Sequence, residues 1–119
     1  MAQKYEEGLI MIRRIIAGIL VSLSLLVAGQ ALAQDIERGR EVFQYWCAPC
    51  HDDGAGRPGT IALQILYNGE KPAPLEERTD LLPEYTKTIV RTGISVMPFY
   101  RKTEISDADL DALAAYLAP

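Results

Sequence analysis

The sequence predicts an all-α domain, and three observations support this class. Three segments carry helical patterning, and none shows the sustained period-two alternation that is typical of a half-buried strand. Caps, prolines and glycines stand at the ends of these segments, where helices start and stop. The connection between the first two helices, residues 52–82, is long for a compact domain unless it wraps around something.

The first two main helices are predicted at residues 35–47 and 83–92. The second has a proline at its first position and a glycine directly after it. Between the two, TIALQILYNG (residues 60–69) predicts a short loop helix that ends at an Asn-Gly pair. EKPAPLEERTD (residues 70–80) is rich in proline and charge and predicts a surface loop. The inner face of the first helix is formed by Ile36, Gly39, Val42, Phe43 and Trp46.

The third main helix has the clearest start. Ser106 is a suitable N-cap, and Asp109 stands three residues on, as in a capping box. Ile105 can pack against Leu110 across the cap as a hydrophobic staple. An apolar stripe at i, i+3, i+4 and i+7 follows, formed by Leu110, Leu113, Ala114 and Leu117.

The N-terminal part of the chain predicts a secretory signal peptide. Two arginines precede an apolar run at residues 15–28, and Ala31-Leu32-Ala33 follows as a small-x-small cleavage site. We therefore expect a signal peptide at residues 1–33, cleaved after Ala33, and one domain at residues 34–119. A membrane anchor is the alternative, but 14 residues are fewer than the 18 or more that spanning needs. Acidic residues near the N-terminus are unusual for a leader, so Met11 is an alternative start.

Composition excludes some functions for the exported part. Removing the three basic and two acidic leader residues leaves 9 Lys+Arg and 14 Asp+Glu, a net charge of −5. This balance argues against a nucleic-acid partner, which needs a basic face.

A domain of 86 residues buries little apolar surface and often relies on a disulfide, metal or cofactor. A disulfide between cysteines so close in sequence constrains the unfolded chain very little.

Both cysteines and the only histidine of the chain lie in Cys47-Ala-Pro-Cys50-His51. Cys-x-x-Cys-His is the signature for covalent attachment of a c-type haem. Two thiols three positions apart at a helix end can reach the two vinyl groups of one porphyrin, and His51 then offers its imidazole to the iron. We therefore expect one haem c per chain, attached through Cys47 and Cys50, with His51 as proximal iron ligand.

Other interpretations of these three residues each lack a component. A structural zinc site needs four ligands, and the exported chain has no further cysteine or histidine. A thioredoxin-like redox pair needs a βαβ context. A catalytic Cys/His dyad leaves the second cysteine and the export signal unexplained.

Met97 is the candidate for the distal iron ligand. It is the only methionine after the leader, and a second histidine does not exist in the chain. A lone methionine is often a gap-filler in a core, but His/Met is a standard haem pairing. Lys87, Lys71, Tyr100 or an open position are the alternatives.

The residues together resemble the class I monohaem c-type cytochromes of bacterial periplasms. The resemblance rests on the pentapeptide, on VMPFY as a Met-Pro ligand loop, and on helix-crossing residues, which are Gly39, Phe43, Leu113 and Tyr116. It implies a cytochrome c fold of three main helices and a short loop helix around one haem, in the periplasm without membrane insertion after cleavage. In that family a Gly-Pro carbonyl accepts the histidine Nδ1–H, which implies this role for Pro58, although an arginine is inserted after Gly56.

The remaining residues around the motif give weaker evidence about function. The glycines at 54, 56 and 59 match G-x-G-x-x-G, but no strand precedes them, and the domain is too small for a βαβ unit. We expect them to form a loop at the haem edge, where glycine lets the backbone approach the ring. Arg57 and Arg91 could pair with the haem carboxylates, although charged residues near loops are usually solvated.

Two filled axial positions leave no place for a substrate, so the expected function is one-electron carriage between Fe(II) and Fe(III), not catalysis. Residues 68–106 resemble the small cytochrome subunits of flavin-dependent cresol- or aryl-alcohol-type dehydrogenases. This implies a flavoprotein dehydrogenase as electron donor, and an oxidase or another cytochrome as acceptor. Residues 70–80 are then a flap that contacts the partner, or a passive insertion. The competing hypothesis is a haem enzyme or gas sensor with an open sixth position.

Overall fold

A computed structural model describes residues 35–118 and, ahead of them, Gly8, Met11 and residues 13–16.

The chain divides into two compact units, Met1–Gln34 and Asp35–Pro119. The described residues of the first unit are helical and exposed. The predicted cleavage site at Ala33 lies outside the described residues, so the leader, its cleavage and the start at Met11 stay predictions. Among the described residues, no helix combines the length and apolar character that crossing a membrane requires.

The second unit is helical, and residues 35–118 contain no strand, which confirms the predicted all-α class. Helix α1 is continuous from residue 35 to residue 51. Three further α-helices and one short 3₁₀ turn follow it. They are α2 at Pro58–Tyr67, the 3₁₀ turn at Leu75–Glu77, α3 at Pro83–Thr92 and α4 at Asp107–Leu117.

Helix α1 extends four residues beyond its predicted end because its hydrogen-bond register changes in the middle. Residues 35–42 are α-helical, Phe43–Cys47 is a π-helical turn, and Ala48–His51 is α-helical again. The backbone N–H of Ala48 donates to the Phe43 carbonyl, which closes the wider turn. Pro49 then stands in the first turn of the new α-helical segment, where a missing N–H is tolerated.

Helices α1 and α4 cross where glycine permits contact with backbone. A Cβ at Gly39 would overlap the carbonyl oxygen of Ala112 and lie 2.6 Å from the Cβ of Tyr116. Phe43 and Leu113 are both completely buried at this crossing. The ring of Phe43 lies 6.0 Å from that of Tyr116. The crossing residues expected from the cytochrome resemblance therefore come together, and they form the centre of the core.

The start of α4 follows its predicted cap. The Ser106 hydroxyl accepts a hydrogen bond from the Asp109 N–H at 3.1 Å and donates one to the Asp109 carboxylate at 2.7 Å. Ile105 and Leu110 are both buried in the core cluster, as the staple requires. Helix α2 ends at Asn68, as the Asn-Gly pair predicted, and the φ of 49° at this residue lies in the left-handed region.

Residues 70–80 form a mostly exposed loop, as predicted, but part of the loop is anchored to the rest of the domain. Ala73 and Arg78 are buried, and Leu75 packs against the core. The Arg78 guanidinium donates two hydrogen bonds to Asp80, at 2.5 and 2.8 Å, and one to the Tyr67 hydroxyl at 2.5 Å. The segment is therefore attached to the end of α2 by a buried arginine.

Gly39→Ala tests the helix crossing. The added methyl group meets the backbone of α4, which cannot move aside as a flexible side chain can. We expect the free energy of unfolding, measured by denaturant titration, to fall by about 1–3 kcal/mol. Gln44→Ala, on an exposed position of the same helix, should stay within about 0.5 kcal/mol of the parent. An unchanged stability in Gly39→Ala would show that the crossing is looser than described.

Candidate functional site

Both cysteines lie in the last turns of α1, three positions and hence about one turn apart. Cys47 is partly buried, Cys50 is exposed, and the two are free thiols and not a disulfide. Burial, followed by the proximity of Cys50, raises the pKa of the Cys47 thiol to about 12. A thiol of this kind is protonated near neutral pH, which disfavours a nucleophilic thiolate. The arrangement instead offers two sulfur atoms to one bound group.

His51 ends α1 and is partly buried. Burial lowers the pKa of its imidazole, so the ring stays neutral and retains the lone pair that a metal ligand needs. Its Nδ1 atom is buried and has no hydrogen-bond partner, whereas Nε2 is not buried in this way. Nε2 is thus the nitrogen available to an iron atom.

The residue that lies against the His51 ring is Gly59. A Cβ at Gly59 would lie 2.6 Å from Cε1 of the imidazole and 2.8 Å from Nδ1. The hydrogen bond expected between Nδ1 and the Pro58 carbonyl is not formed in the structure, and the role of Pro58 stays a prediction. The sequence contained Gly59 within a glycine-rich loop, but no local signal pointed to its contact with the histidine.

A buried threonine joins α2 to the end of α1. The Thr60 side chain is 1% exposed, and its hydroxyl donates to the Asp52 carbonyl at 2.8 Å, with the Cys50 carbonyl at 3.4 Å. These carbonyls belong to the end of α1, where the helix has no further N–H to offer. Thr60 was missed by the sequence analysis because its partners lie in another element.

The loop between α1 and α2 needs glycine at two positions for its backbone conformation, and the expected approach of these glycines to a haem edge stays a prediction. Gly54 and Gly56 have φ values of 105° and 79°, and no atom lies within 4 Å of a Cβ built on either. Glycine is therefore used there for its backbone conformation. Of these three glycines, Gly59 is the one at which a Cβ would meet protein atoms, among them those of the imidazole.

Met97 lies in the loop between α3 and α4. Ile94 and Met97 exchange backbone hydrogen bonds of 3.2 and 2.9 Å, which close a tight turn with Ser95 at φ 53°. The Met97 side chain is partly buried and packs against the edge of the core cluster, as Cys47 also does. The fold thus brings the methionine and the first cysteine to the border of the same cluster.

Each alternative distal ligand is engaged elsewhere. These contacts are Lys87 Nζ to Asp111 Oδ1 at 2.8 Å, Lys71 Nζ to Asp80 Oδ2 at 3.2 Å, and Tyr100 Oη to the Trp46 carbonyl at 3.5 Å. Arg57 and Arg91 likewise pair with protein carboxylates, Asp52 at 3.5 Å and Asp107 at 3.0 Å. Among the described residues, no group of three His, Cys, Asp or Glu side chains is placed to bind a metal ion by itself.

Large apolar side chains are exposed on α2, at the start of α3 and in the loop that carries Met97. They are Ile61, Ile65 and Leu66, then Leu82 and Tyr85, then Ile94, Val96 and Phe99. Exposed apolar surface of this extent typically marks a binding region. Together with two thiols one turn apart, an available imidazole nitrogen and a thioether, these side chains fit a haem.

Comparison with known proteins identifies the family of this chain. The family model described as cytochrome c oxidase, cbb3-type, subunit III matches residues 34–117. The 4-cresol dehydrogenase (hydroxylating) cytochrome c subunit of Pseudomonas putida is 29% identical over 108 residues, which cover 89% of this chain and 82% of that protein. No solved structure gives a significant match. The expected resemblance to cytochromes c and the cytochrome c fold are confirmed, and the chain belongs to the cytochrome c family represented by the cbb3-type subunit III model.

Proposed function

We propose that this protein carries single electrons in the periplasm on one haem held by Cys47, Cys50, His51 and Met97. Membership of a cytochrome c family supports an electron-carrier role and implies a haem cofactor. The observation that carries the proposal is the end of α1, where two free thiols and a neutral imidazole occur within five residues. A bound haem supplies one-electron exchange between Fe(II) and Fe(III).

The residues of the chain have distinct tasks in this proposal. Cys47 and Cys50 hold the haem through thioether bonds, so the exchange of electrons does not depend on reversible binding. His51 offers Nε2 to the iron, while Gly59 lies against the other side of its ring and limits how far the ring can turn. Met97 offers a soft thioether, which stabilises the ferrous state relative to a second imidazole. With both ligands in place, the protein presents no open coordination position to a substrate.

The competing function is a haem enzyme or gas sensor in which Met97 only packs. A haem enzyme needs an acid/base side chain near the open position, whereas a gas sensor needs only the open position. The one histidine of the chain is His51, and it is committed to the iron in either case. Lys87 and Lys71 are held in ion pairs. The electron carrier is therefore the function that these residues support best.

The charge distribution supports a basic redox partner. Every lysine and arginine side chain of residues 35–118 pairs with a carboxylate. No basic side chain among the described residues pairs with Glu70, Glu76 or Glu77, which are exposed on the segment attached through Arg78. We propose that this segment contacts a flavoprotein dehydrogenase as electron donor. The similarity to a protein named as a dehydrogenase cytochrome subunit favours this partner, and an oxidase or another cytochrome then accepts the electron.

Met97→Ala tests the distal ligand and the proposed function. We expect the oxidised parent protein to show a sulfur-to-iron charge-transfer band in the near infrared, and the reduced parent not to bind carbon monoxide. The variant should lose the band and bind one carbon monoxide per haem, because the alternative ligands Lys71, Lys87 and Tyr100 are engaged elsewhere. Thr103→Ala, at an exposed residue of the same connection between α3 and α4, is the control and should behave as the parent. Identical spectra for parent and Met97→Ala would refute the His/Met assignment.

Gly59→Ala tests the support of the proximal histidine. The methyl group would lie within 2.8 Å of two ring atoms, so the imidazole or α2 has to move. We expect a loss of about 1–3 kcal/mol in the free energy of unfolding and a change in the visible spectrum of the reduced haem. Gln64→Ala, exposed on the same helix, should change neither. A stable variant with an unaltered spectrum contradicts the proposed contact.

Replacing Glu70 and Glu77 by glutamine tests the docking segment. Stopped-flow reduction by the donor dehydrogenase should slow on the order of tenfold at low ionic strength, with a weaker dependence on salt. Replacing Asp35 and Glu41 by their amides removes the same charge from α1 and serves as control. Equal effects of the two pairs would mean that net charge, and not this segment, directs association.

A further inference from the structure

The loop that carries Met97, residues 93–100, is joined to both neighbouring helices by one arginine. Arg91 lies in the last turn of α3. Its Nη1 donates to the Tyr100 carbonyl at 3.1 Å, and its Nη2 donates to the Asp107 carboxylate at 3.0 Å. Asp107 is the first residue of α4. The guanidinium therefore ties together the end of α3, the end of the loop and the start of α4.

The far end of the loop is held from two sides. The Tyr100 N–H donates to the Val90 carbonyl at 2.8 Å, while its carbonyl accepts from Arg91. Both polar atoms of this residue's backbone are thus bound to the last turns of α3. The Tyr100 ring also packs against Trp46 of α1 at 5.6 Å between centroids.

The near end of the loop is fixed by backbone conformation. Gly93 donates its N–H to the Ile89 carbonyl at 2.8 Å and continues at φ 68°. A Cβ on this glycine would lie 2.7 Å from the carbonyl oxygen of Met97. The backbone on each side of the methionine is therefore close to α3, and Arg91 is the one side chain of α3 that binds both the loop and α4 among the described residues.

The Arg91 side chain is better shielded from solvent than the carboxylate that it binds. Its side chain is 22% exposed, whereas that of Asp107 is 60% exposed. A charged donor makes stronger hydrogen bonds than a neutral one. Lys102 binds the other oxygen of Asp107 at 2.6 Å and holds the carboxylate in place. A haem carboxylate could bind Arg91 only by replacing its hydrogen bonds to Tyr100 and Asp107.

We infer that Arg91 is a positioning residue that keeps the 93–100 loop in the shape from which Met97 reaches the iron. The inference rests on the proposed function, because it requires Met97 to be the distal ligand. A loop with two held ends loses less conformational entropy when its methionine binds, so the thioether competes better against ligands from solution. Arg91 does not contact the reacting atoms and acts through the loop.

Titration of the oxidised holoprotein with imidazole, followed by loss of the sulfur-to-iron band, measures this competition directly. Arg91→Gln keeps the length of the side chain but removes the charged fork. We expect imidazole to displace the thioether from this variant with about tenfold higher affinity than from the parent. Arg91→Lys should give a smaller change, because an ammonium cannot span both acceptors in the same way. Hydrogen exchange of the Tyr100 amide should become faster in parallel.

Two further variants separate loop positioning from general stability. Arg101→Gln removes one positive charge next to the loop, from a side chain that is 72% exposed, and should leave the imidazole affinity unchanged. Asp107→Asn weakens one arm of the contact and covers the case in which Arg91→Gln does not fold; it should raise the imidazole affinity in the same direction. A folded Arg91→Gln or Asp107→Asn protein with the parent's imidazole affinity overturns the inference. If the parent has no sulfur-to-iron band, the proposed function itself fails instead.

Discussion

The close approach of α1 to α4 at Gly39 is the contact on which the rest of the structure depends. A side chain at this position would overlap the backbone of α4, and the two helices would have to separate. Phe43 and Leu113 fill the core directly beside the glycine. Because Cys47, Cys50 and His51 are in the last turns of the same helix, the crossing also determines where these three side chains are held. Packing in the core and placement of the donor set are thus consequences of one contact.

Helix α1 can both pack in the core and hold the site residues because its hydrogen-bond register changes between these two parts of the helix. The π-helical turn at Phe43–Cys47 separates the buried part of the helix from the segment that ends at His51. Such turns are rare and occur often at functional sites. Here the turn allows Pro49 to begin a new α-helical segment without the loss of a backbone hydrogen bond. Thr60 and Gly59 of α2 then support that segment from the far side.

Features that depend on neighbours in sequence could be predicted, and features that depend on tertiary contacts could not. Ser106 caps α4 through an N–H three residues away, so the sequence alone was enough to place it. The Cys-x-x-Cys-His motif is local in the same sense. The continuation of α1 past Pro49 was missed because a proline usually ends a helix. The support of His51 by Gly59 was also missed, since eight positions in sequence and a loop lie between them.

Burial in the 70–80 loop could not be predicted either, since it depends on the contact of Arg78 with Tyr67, which lies in another element. Each of the three loops around the site is held by one guanidinium: Arg57 binds Asp52, Arg78 binds Asp80 and Tyr67, and Arg91 binds Tyr100 and Asp107. Polar loops of a small domain bury few apolar side chains, and a planar group with five N–H donors can join several acceptors at once. Within residues 35–118, this use of the basic residues leaves no lysine or arginine without a carboxylate partner. Among residues 35–118, the charges that these ion pairs leave unpaired are therefore carboxylates, and a partner meets them on this part of the surface.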